Sequence, residues 1–308
     1  MALLFLSPDD PAEPWREELR ARLPELEVRI WPEIGDPGEI EFALVWRAPP
    51  GELARYPNLK AILSLGAGIE WLVADPTLPD VPIARMVDPS LSRTMSEYVL
   101  LAALRHHREF DRFEREQRAR RWAYSFPPQA ADRPVGIMGL GELGSRVAGL
   151  LVAQGFPVLG WSRTAKAIAG VTSYAGRSEL HAFLHRSAIL VCLLPLTAET
   201  RGILDAETFA SLPHGAFVIN VARGDHLVEG DLLAALDSGH LAGATLDVFR
   251  TEPLPPDDPL WRHPKVLVTP HVASYSLPAT AADGVVDNIR RARAGQPLRH
   301  QVDRARGY

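Results

Sequence analysis

Cysteine is nearly absent: Cys192 stands alone among 308 residues, inside the apolar run AILVCLL. No intrachain disulfide can form, so a reducing, cytoplasmic setting is expected. A single thiol in such a run reads as a small core residue. An excess of basic charge is missing too. The net charge of −5 argues against a nucleic-acid partner, whose usual footprint is a basic surface. No apolar run approaches the ~20 residues that span a bilayer, so no membrane partner is expected. The N-terminus MALLFLSPDD lacks a basic leader and reads as a first strand, not a signal peptide. There is no P-loop, no G-x-S-x-G elbow and no CxxC. His181 and His185 are spaced i, i+4, but no Glu follows the first and no third ligand is evident. They read as solvated, as do His106 and His107 in a charged helix, and no metal is expected. Neither an internal repeat nor a low-complexity tract is present.

What the chain does have is alternation. Hydrophobic residues make up 46% and charged residues 23%, as in a globular protein, and the length suits about two domains. ALLFLS, EVRIW, FALVW and LKAILSLGAG read as strands, with PWREELRARLPE as an amphipathic helix. A long helical stretch begins near Thr94 and runs through RHHREFDRFEREQRARRW. Its charged half is either a solvated face or a dimerisation arm. YSFPPQAADRP then interrupts the pattern. A second series follows: VGIMGLG, PVLGWS, AILVCLL, AFVINVA, GATLDV and VLVTPHV. These near-continuous apolar runs suit buried parallel strands. The chain closes on a helix, PATAADGVVDNIRRARAG. The fold class is α/β with parallel sheets.

One turn in the second series suggests a ligand. Gly139-x-Gly141-x-x-Gly144 follows the strand Val135–Met138 and precedes a helical pattern over Ser145–Leu151. That context is what a dinucleotide turn requires. The first glycine permits the tight turn, the second lets backbone approach a pyrophosphate, and the third lets helix pack on strand. Leu140, Glu142 and Leu143 complete the turn. The anion would meet the positive end of the helix dipole. About twenty residues on, an acidic residue normally holds the ribose hydroxyls of NAD. Here Ser162 and Arg163 stand in its place, followed by Thr164 and Lys166. A serine does not repel a 2′-phosphate, and an arginine can pair with one through charge-assisted hydrogen bonds. NADP, with NADPH preferred over NADH, is therefore the expected cofactor. The alternative is a surface Arg163 beside a tolerant NAD site.

Three later segments place reactive side chains after strands: Arg223 in VINVARGD, Glu252 in LDVFRTEPLP and His271 in VLVTPHVAS. Ligands of open parallel sheets bind beyond the carboxyl ends of strands. Together, behind a dinucleotide turn, the three suggest hydride transfer.

From LSLGAG to TPHVAS the chain resembles the D-2-hydroxyacid dehydrogenases, and NVARGDHLVEGDLLAALDSGHLAGATLDVFRTEPLPPDDPLWRHPKVLVTPHVAS is highly specific to them. ALVWR, SLGAGIEWL and WSRT look most like the glyoxylate/hydroxypyruvate reductase A branch. The resemblance implies two Rossmann-like domains. A doubly wound cofactor domain over 98–274 would be inserted into a discontinuous flavodoxin-like substrate domain, 1–97 plus 275–308. It implies a homodimer and a small 2-keto acid substrate, hydroxypyruvate going to D-glycerate and glyoxylate to glycolate. Arg223 would hold the carboxylate and polarise the carbonyl. Backbone N–H groups of Gly66, Ala67 and Gly68 would take other carboxylate oxygens. His271 would be the general acid, since histidine's ordinary pKa is ~6.5, with Glu252 orienting it and favouring the imidazolium.

Further residues carry over by the same resemblance. Leu194, Pro195 and Thr200 would line the adenosine and ribose side. Val221, Ala222, Arg223, His271 and Ala273 would line the cofactor, and Asp247 would lie near the nicotinamide amide unless it is a strand-end turn residue. Trp46 and Arg47 would line the substrate pocket. Arg47 stands where that branch is expected to have His, and an extra cation there favours a hydroxyl-bearing or acidic tail. Trp261 would either close the pocket or pack in the core. Two rivals are a dehydrogenase of a bulkier 2-keto acid and a non-catalytic dinucleotide sensor, although no long extension for recruiting partners is present.

Overall fold

The computed structural model describes residues 2–304. Met1 and residues 305–308, the ends of the expected outer domain, lie outside the described residues. The chain divides into two compact units. One is the chain up to Leu91 with the segment from Tyr275 onward, and the other is Ser92–Ser274. The first border is six residues earlier than the expected 97/98.

In the first unit, β1 (Ala2–Leu6), β2 (Glu27–Ile30), β3 (Ile40–Val45), β4 (Ala61–Ser64) and β5 (Ile83–Ala84) form a parallel sheet in the order β2-β1-β3-β4-β5. That is the flavodoxin-like order, in which the chain reverses beside its first strand. Every residue of β1 and β4 is buried, as strands covered on both faces should be. Helix α1 (Ala12–Arg22) lays Trp15 and Leu19 into the core, with the Trp15 ring 6.4 Å from Phe5. The C-terminal helix Pro278–Arg293 packs against α1, and Arg22 pairs with its Asp283. A short helix α2 (Glu70–Val73) follows β4.

The second unit holds β6 (Val135–Met138), β7 (Val158–Ser162), β8 (Val171–Ala175), β9 (Ile189–Cys192), β10 (Ala216–Asn220), β11 (Leu241–Leu246) and β12 (Val266–Val268). All are parallel, in the order β12-β11-β10-β9-β6-β7-β8. The order reverses between β6 and β9, the crevice where a doubly wound sheet binds its ligand. Successive strand residues face opposite layers. Ile189 and Val191 join one core with Val147 and Leu151, while Leu190 and Cys192 join the other with Phe183 and Phe209. Burial pushes the Cys192 thiol up to about 12, which makes it a packing group. Helices α3 (Pro89–His107), α5 (Glu142–Ala153), α6 (Leu180–Leu184), α7 (Ala206–Ser211) and α8 (Glu229–Asp237) supply the covering layers, whereas α4 (Phe110–Arg118) buries no residue.

Three local expectations change. The long charged helix is two helices, α3 starting at Pro89 and α4 ending at Arg118. Glu109 adopts a left-handed φ of 58° at the corner, and Arg105 clamps it by pairing with Asp111 and with Glu114. Strand β8 was not anticipated: VTSYA carries polar residues and is only partly buried. His106 and His107 are not solvated. The His106 ring stacks 4.3 Å from Phe217, and His107 is buried edge-on to Phe156. Burial lowers both, His106 to about 3. The unfolded chain therefore binds more protons than the folded one below about pH 6.5, so stability falls as pH drops from there toward 3. The thermal midpoint should decrease between about pH 6.5 and about pH 5, and His106→Phe should flatten that decrease. An identical slope in melts of both proteins would remove His106 from the effect.

Candidate active site

The glycine turn joins β6 to α5. Gly139 has φ of +102°, and a Cβ there would meet the Leu193 carbonyl oxygen at 2.7 Å, so this position requires glycine. A Cβ at Gly144 would lie 1.8 Å from the Gly139 oxygen, so the bare residue brings helix against turn. A Cβ at Gly141 would meet nothing within 4 Å. That face is open, and α5 starts there with no side-chain cap. Its first N–H groups therefore suit an anion, reinforced by the helix dipole. Leu140 is buried over Gly160 of β7, while Glu142 is exposed and Leu143 half-buried in the first turn.

At the end of β7, Ser162 is buried and its hydroxyl donates to the Thr164 carbonyl at 2.7 Å. This bond folds the chain back and leaves Arg163, Thr164 and Lys166 exposed. No carboxylate stands in this turn. The residues fit a dinucleotide that carries a 2′-phosphate. After β9, Leu194 is buried, and Thr200 Oγ1 donates to the Pro195 carbonyl at 2.7 Å, tightening that loop.

The reactive trio gathers beyond β10, β11 and β12. Arg223 follows the buried Val221 and Ala222, and its Nη1 donates to the Ala222 carbonyl at 2.6 Å. A Cβ on Gly224 would lie 1.9 Å from the Phe249 carbonyl carbon. This contact presses the Arg223 loop onto the loop that carries Glu252. Glu252 accepts from the Phe249 N–H through Oε1 at 2.9 Å and holds His271 Nδ1 through Oε2 at 2.8 Å. Both side chains are mostly buried, Glu252 17% and His271 25% exposed. That is dry enough for the pair to be strong, yet accessible at the ring. His271 has a left-handed φ of 56°, a conformation uncommon in non-glycine residues.

Asp247 explains how that backbone is held. It is buried, and Oδ1 accepts from Thr269 Oγ1 at 2.6 Å and the Val272 N–H at 2.9 Å, while Oδ2 accepts from the Ala273 N–H at 2.8 Å. The His271 N–H donates to the Asp247 carbonyl at 2.8 Å. Burial pushes the carboxyl upward, opposed by these hydrogen bonds. The sequence reading gave Asp247 to the nicotinamide amide or to a strand-end turn. In the structure its carboxylate fastens the turn that presents His271. Tyr98, whose hydroxyl lies 2.5 Å from Thr269 Oγ1, extends this network and carried no sequence signal. Asn220 was also missed: Nδ2 donates to the Arg223 carbonyl and Oδ1 accepts from the Ala222 N–H.

Trp261 is not a core residue. Its indole is 49% exposed and donates to the Pro255 carbonyl at 3.0 Å. Among the described residues, no group of three or more His, Cys, Asp or Glu is placed to hold a metal.

The first unit carries its own cluster. A Cβ on Gly66 would lie 2.3 Å from the Trp46 ring, so this glycine makes room for an indole. Trp46 packs edge-on to Trp71, with the Arg47 guanidinium 5.7 Å from the Trp46 ring centre and 3.7 Å from Asp9. The Gly66 N–H donates to Ser64 Oγ at 3.2 Å. Of the three amides expected to bind a carboxylate, that of Gly66 is thus committed within its own turn, and those of Ala67 and Gly68 have no protein acceptor among the described residues.

Comparison with known proteins places this arrangement. The family model of the D-isomer specific 2-hydroxyacid dehydrogenase NAD-binding domain matches residues 100–273. The glyoxylate/hydroxypyruvate reductase A of Salmonella newport (strain SL254) is 44% identical, with all of both chains covered. A D-isomer specific 2-hydroxyacid dehydrogenase from Xanthobacter autotrophicus Py2, solved in complex with NADPH and MES, is 51% identical. Its TM-score is 0.96, covering 100% of this chain and 99% of that one. The NADPH-dependent glyoxylate/hydroxypyruvate reductase of Sinorhizobium meliloti, solved with NADP and sulfate, is 40% identical over the whole of both chains, with a TM-score of 0.94. This chain belongs to the D-isomer specific 2-hydroxyacid dehydrogenases, in the glyoxylate/hydroxypyruvate reductase A branch.

Proposed function

We propose that the chain reduces hydroxypyruvate to D-glycerate and glyoxylate to glycolate with NADPH, using Arg223, Glu252 and His271. The observation that carries this reading is the 2.8 Å Glu252–His271 pair in the unit that also holds the open Gly141 turn. The chemistry NADPH supplies when bound is hydride donation to the carbonyl carbon. Arg223 holds the substrate carboxylate and favours negative charge on the carbonyl oxygen. His271 delivers a proton from Nε2 to the carbonyl oxygen, because Nδ1 is committed to Glu252. Glu252 fixes the ring through Nδ1 before and after transfer.

The test is absorbance loss of NADPH on adding hydroxypyruvate, with NADH in parallel. Turnover with NADPH preferred is expected. Absence of turnover with hydroxypyruvate, glyoxylate and phenylpyruvate-type keto acids alike would leave a dinucleotide-binding protein.

The active form is a homodimer in the cytoplasm. Trp122, Tyr124 and Phe126 are 97%, 74% and 87% exposed and follow directly on the exposed Phe110 helix. Beside Leu101, Phe110 and Phe156 lies a cavity of about 620 Å³. Apolar surface of this kind is uncommon on a monomer. The free buried thiol of Cys192 suits a reducing compartment, and no described helix is long and apolar enough to cross a membrane. Light scattering on a sizing column should give twice the chain mass, and Trp122→Asp with Phe126→Asp should shift it toward one. A monomeric mass for the parent would reject the arm.

A further inference from the structure

His226 is completely buried, yet neither the turn nor the reactive trio uses it. Its Nδ1 lies 3.2 Å from the Arg223 backbone nitrogen, and its Nε2 lies 3.3 Å from the Pro195 carbonyl oxygen. Nδ1 is also 3.2 Å from the Arg223 carbonyl, so the tautomer has to be decided. That carbonyl already accepts from Asn220 Nδ2 at 3.0 Å and from the His226 N–H at 3.2 Å. Two donors fill its two lone pairs. Nδ1 therefore accepts from the Arg223 N–H, and Nε2 carries the proton and donates to Pro195. Only this neutral form satisfies both ends, since a second proton would set Nδ1–H against another donor.

The two partners belong to different parts of the reaction. Arg223 is the guanidinium that grips the keto acid, and Pro195 is in the loop over the adenosine and ribose side. The backbone repeats the connection, with the Leu204 N–H donating to the His226 carbonyl and the Gly202 N–H to the Asp225 carbonyl, each at 2.8 Å. We propose that His226 is a positioning residue that joins the cofactor loop at Pro195 to the backbone of Arg223, so that one imidazole sets both substrate grip and cofactor grip. This rests on the reductase reading above for the roles of the two loops.

Two conservative variants separate the two ends. In His226→Asn the amide oxygen stands where Nδ1 is and keeps the Arg223 bond, but nothing reaches Pro195. In His226→Gln the amide nitrogen reaches as far as Nε2 and keeps the Pro195 bond, while the Arg223 N–H loses its acceptor. Loss of one bond to the buried imidazole should cost ~10-fold in the property it serves. His226→Asn should raise the Kd for NADPH, read by fluorescence titration without substrate, and leave the KM for hydroxypyruvate within about twofold. His226→Gln should leave the Kd within about twofold and lower kcat/KM for hydroxypyruvate ~10-fold. That crossed pattern supports the bridge. Equal losses in both variants, or none in either, would make His226 a packing residue and overturn it. Should neither variant fold, long-range ¹H–¹⁵N spectra of the histidine-labelled wild-type protein carry the test. A buried Nε2–H tautomer whose signal moves on adding NADPH is expected, and a buried Nδ1–H tautomer, or a signal unmoved by NADPH, would overturn the proposal. Wild-type turnover with hydroxypyruvate tests the reductase reading separately.

Discussion

Replacing His271 with alanine should lower kcat by ~10²–10⁴-fold, the range of a lost general acid, while NADPH binding changes less than about twofold. The separation is expected because the turn does not depend on the imidazole. Its backbone is fixed by Asp247, which accepts from Thr269, Val272 and Ala273, and by the His271 N–H bond to the Asp247 carbonyl. Alanine retains that N–H. The left-handed φ of 56° adds strain for alanine, and His271→Asn is the control, since asparagine tolerates this region best among non-glycine residues. Both variants should melt near the parent and both should be inactive. Removal of the ring also leaves Glu252 without its partner at 2.8 Å, so part of the loss is a carboxylate facing the developing alkoxide. Glu252→Gln should therefore retain more activity than His271→Ala, because it keeps an acceptor on Nδ1 and loses only the charge. Retention of more than about a tenth of parental kcat in His271→Ala would assign the proton to another group.

The fold was legible wherever burial on both faces made strands continuous and apolar, as in β6, β9 and β10. It was not legible in β8, an edge strand whose residues are only partly buried. Nor was the corner at Glu109, where ion pairs from Arg105 and not glycine or proline turn the chain. His106 and His107 looked solvated because their neighbours in sequence are charged. Their surroundings are aromatic, contributed by Phe217 and Phe156 from distant segments. The site shows the same division. Arg223, Glu252 and His271 were visible as reactive side chains after strands, and the structure gives the distances among the last two. The groups that hold them were not visible: Asn220, Asp247 as a backbone anchor, Tyr98 and His226. Asn220, Asp247 and His226 act on main-chain atoms and Tyr98 on the Thr269 hydroxyl, partners that depend on how loops return in space and leave no periodicity in sequence. Ser64 is a further example, since its hydroxyl claims the Gly66 N–H that sequence alone would offer to substrate.

Arg163→Ala should lower kcat/KM for NADPH by ~10–100-fold and leave that for NADH nearly unchanged, the size expected for charge-assisted hydrogen bonds to a phosphate. Arg163 is exposed, and surface changes rarely move stability by more than about 0.5 kcal/mol. Adding Ser162→Asp should then carry preference over to NADH. A carboxylate at the end of β7 repels the 2′-phosphate and accepts from the two ribose hydroxyls that NADH presents. The Ser162 hydroxyl currently donates to the Thr164 carbonyl. Asp cannot make that bond, so the double variant loosens the turn, and the gain for NADH should be smaller than the loss for NADPH. Two measurements separate charge from fold: the ratio of kcat/KM for the two cofactors, and competition by 2′,5′-ADP against NADPH. If Arg163 pairs with the phosphate, the affinity for 2′,5′-ADP falls in step with NADPH use, and both losses shrink at high salt, which screens an exposed pair. If NADPH preference survives Arg163→Ala unchanged, the 2′-phosphate is read elsewhere in the turn. Lys166, exposed three residues on, is then the cation to replace next, and preference should collapse only in the variant that lacks both.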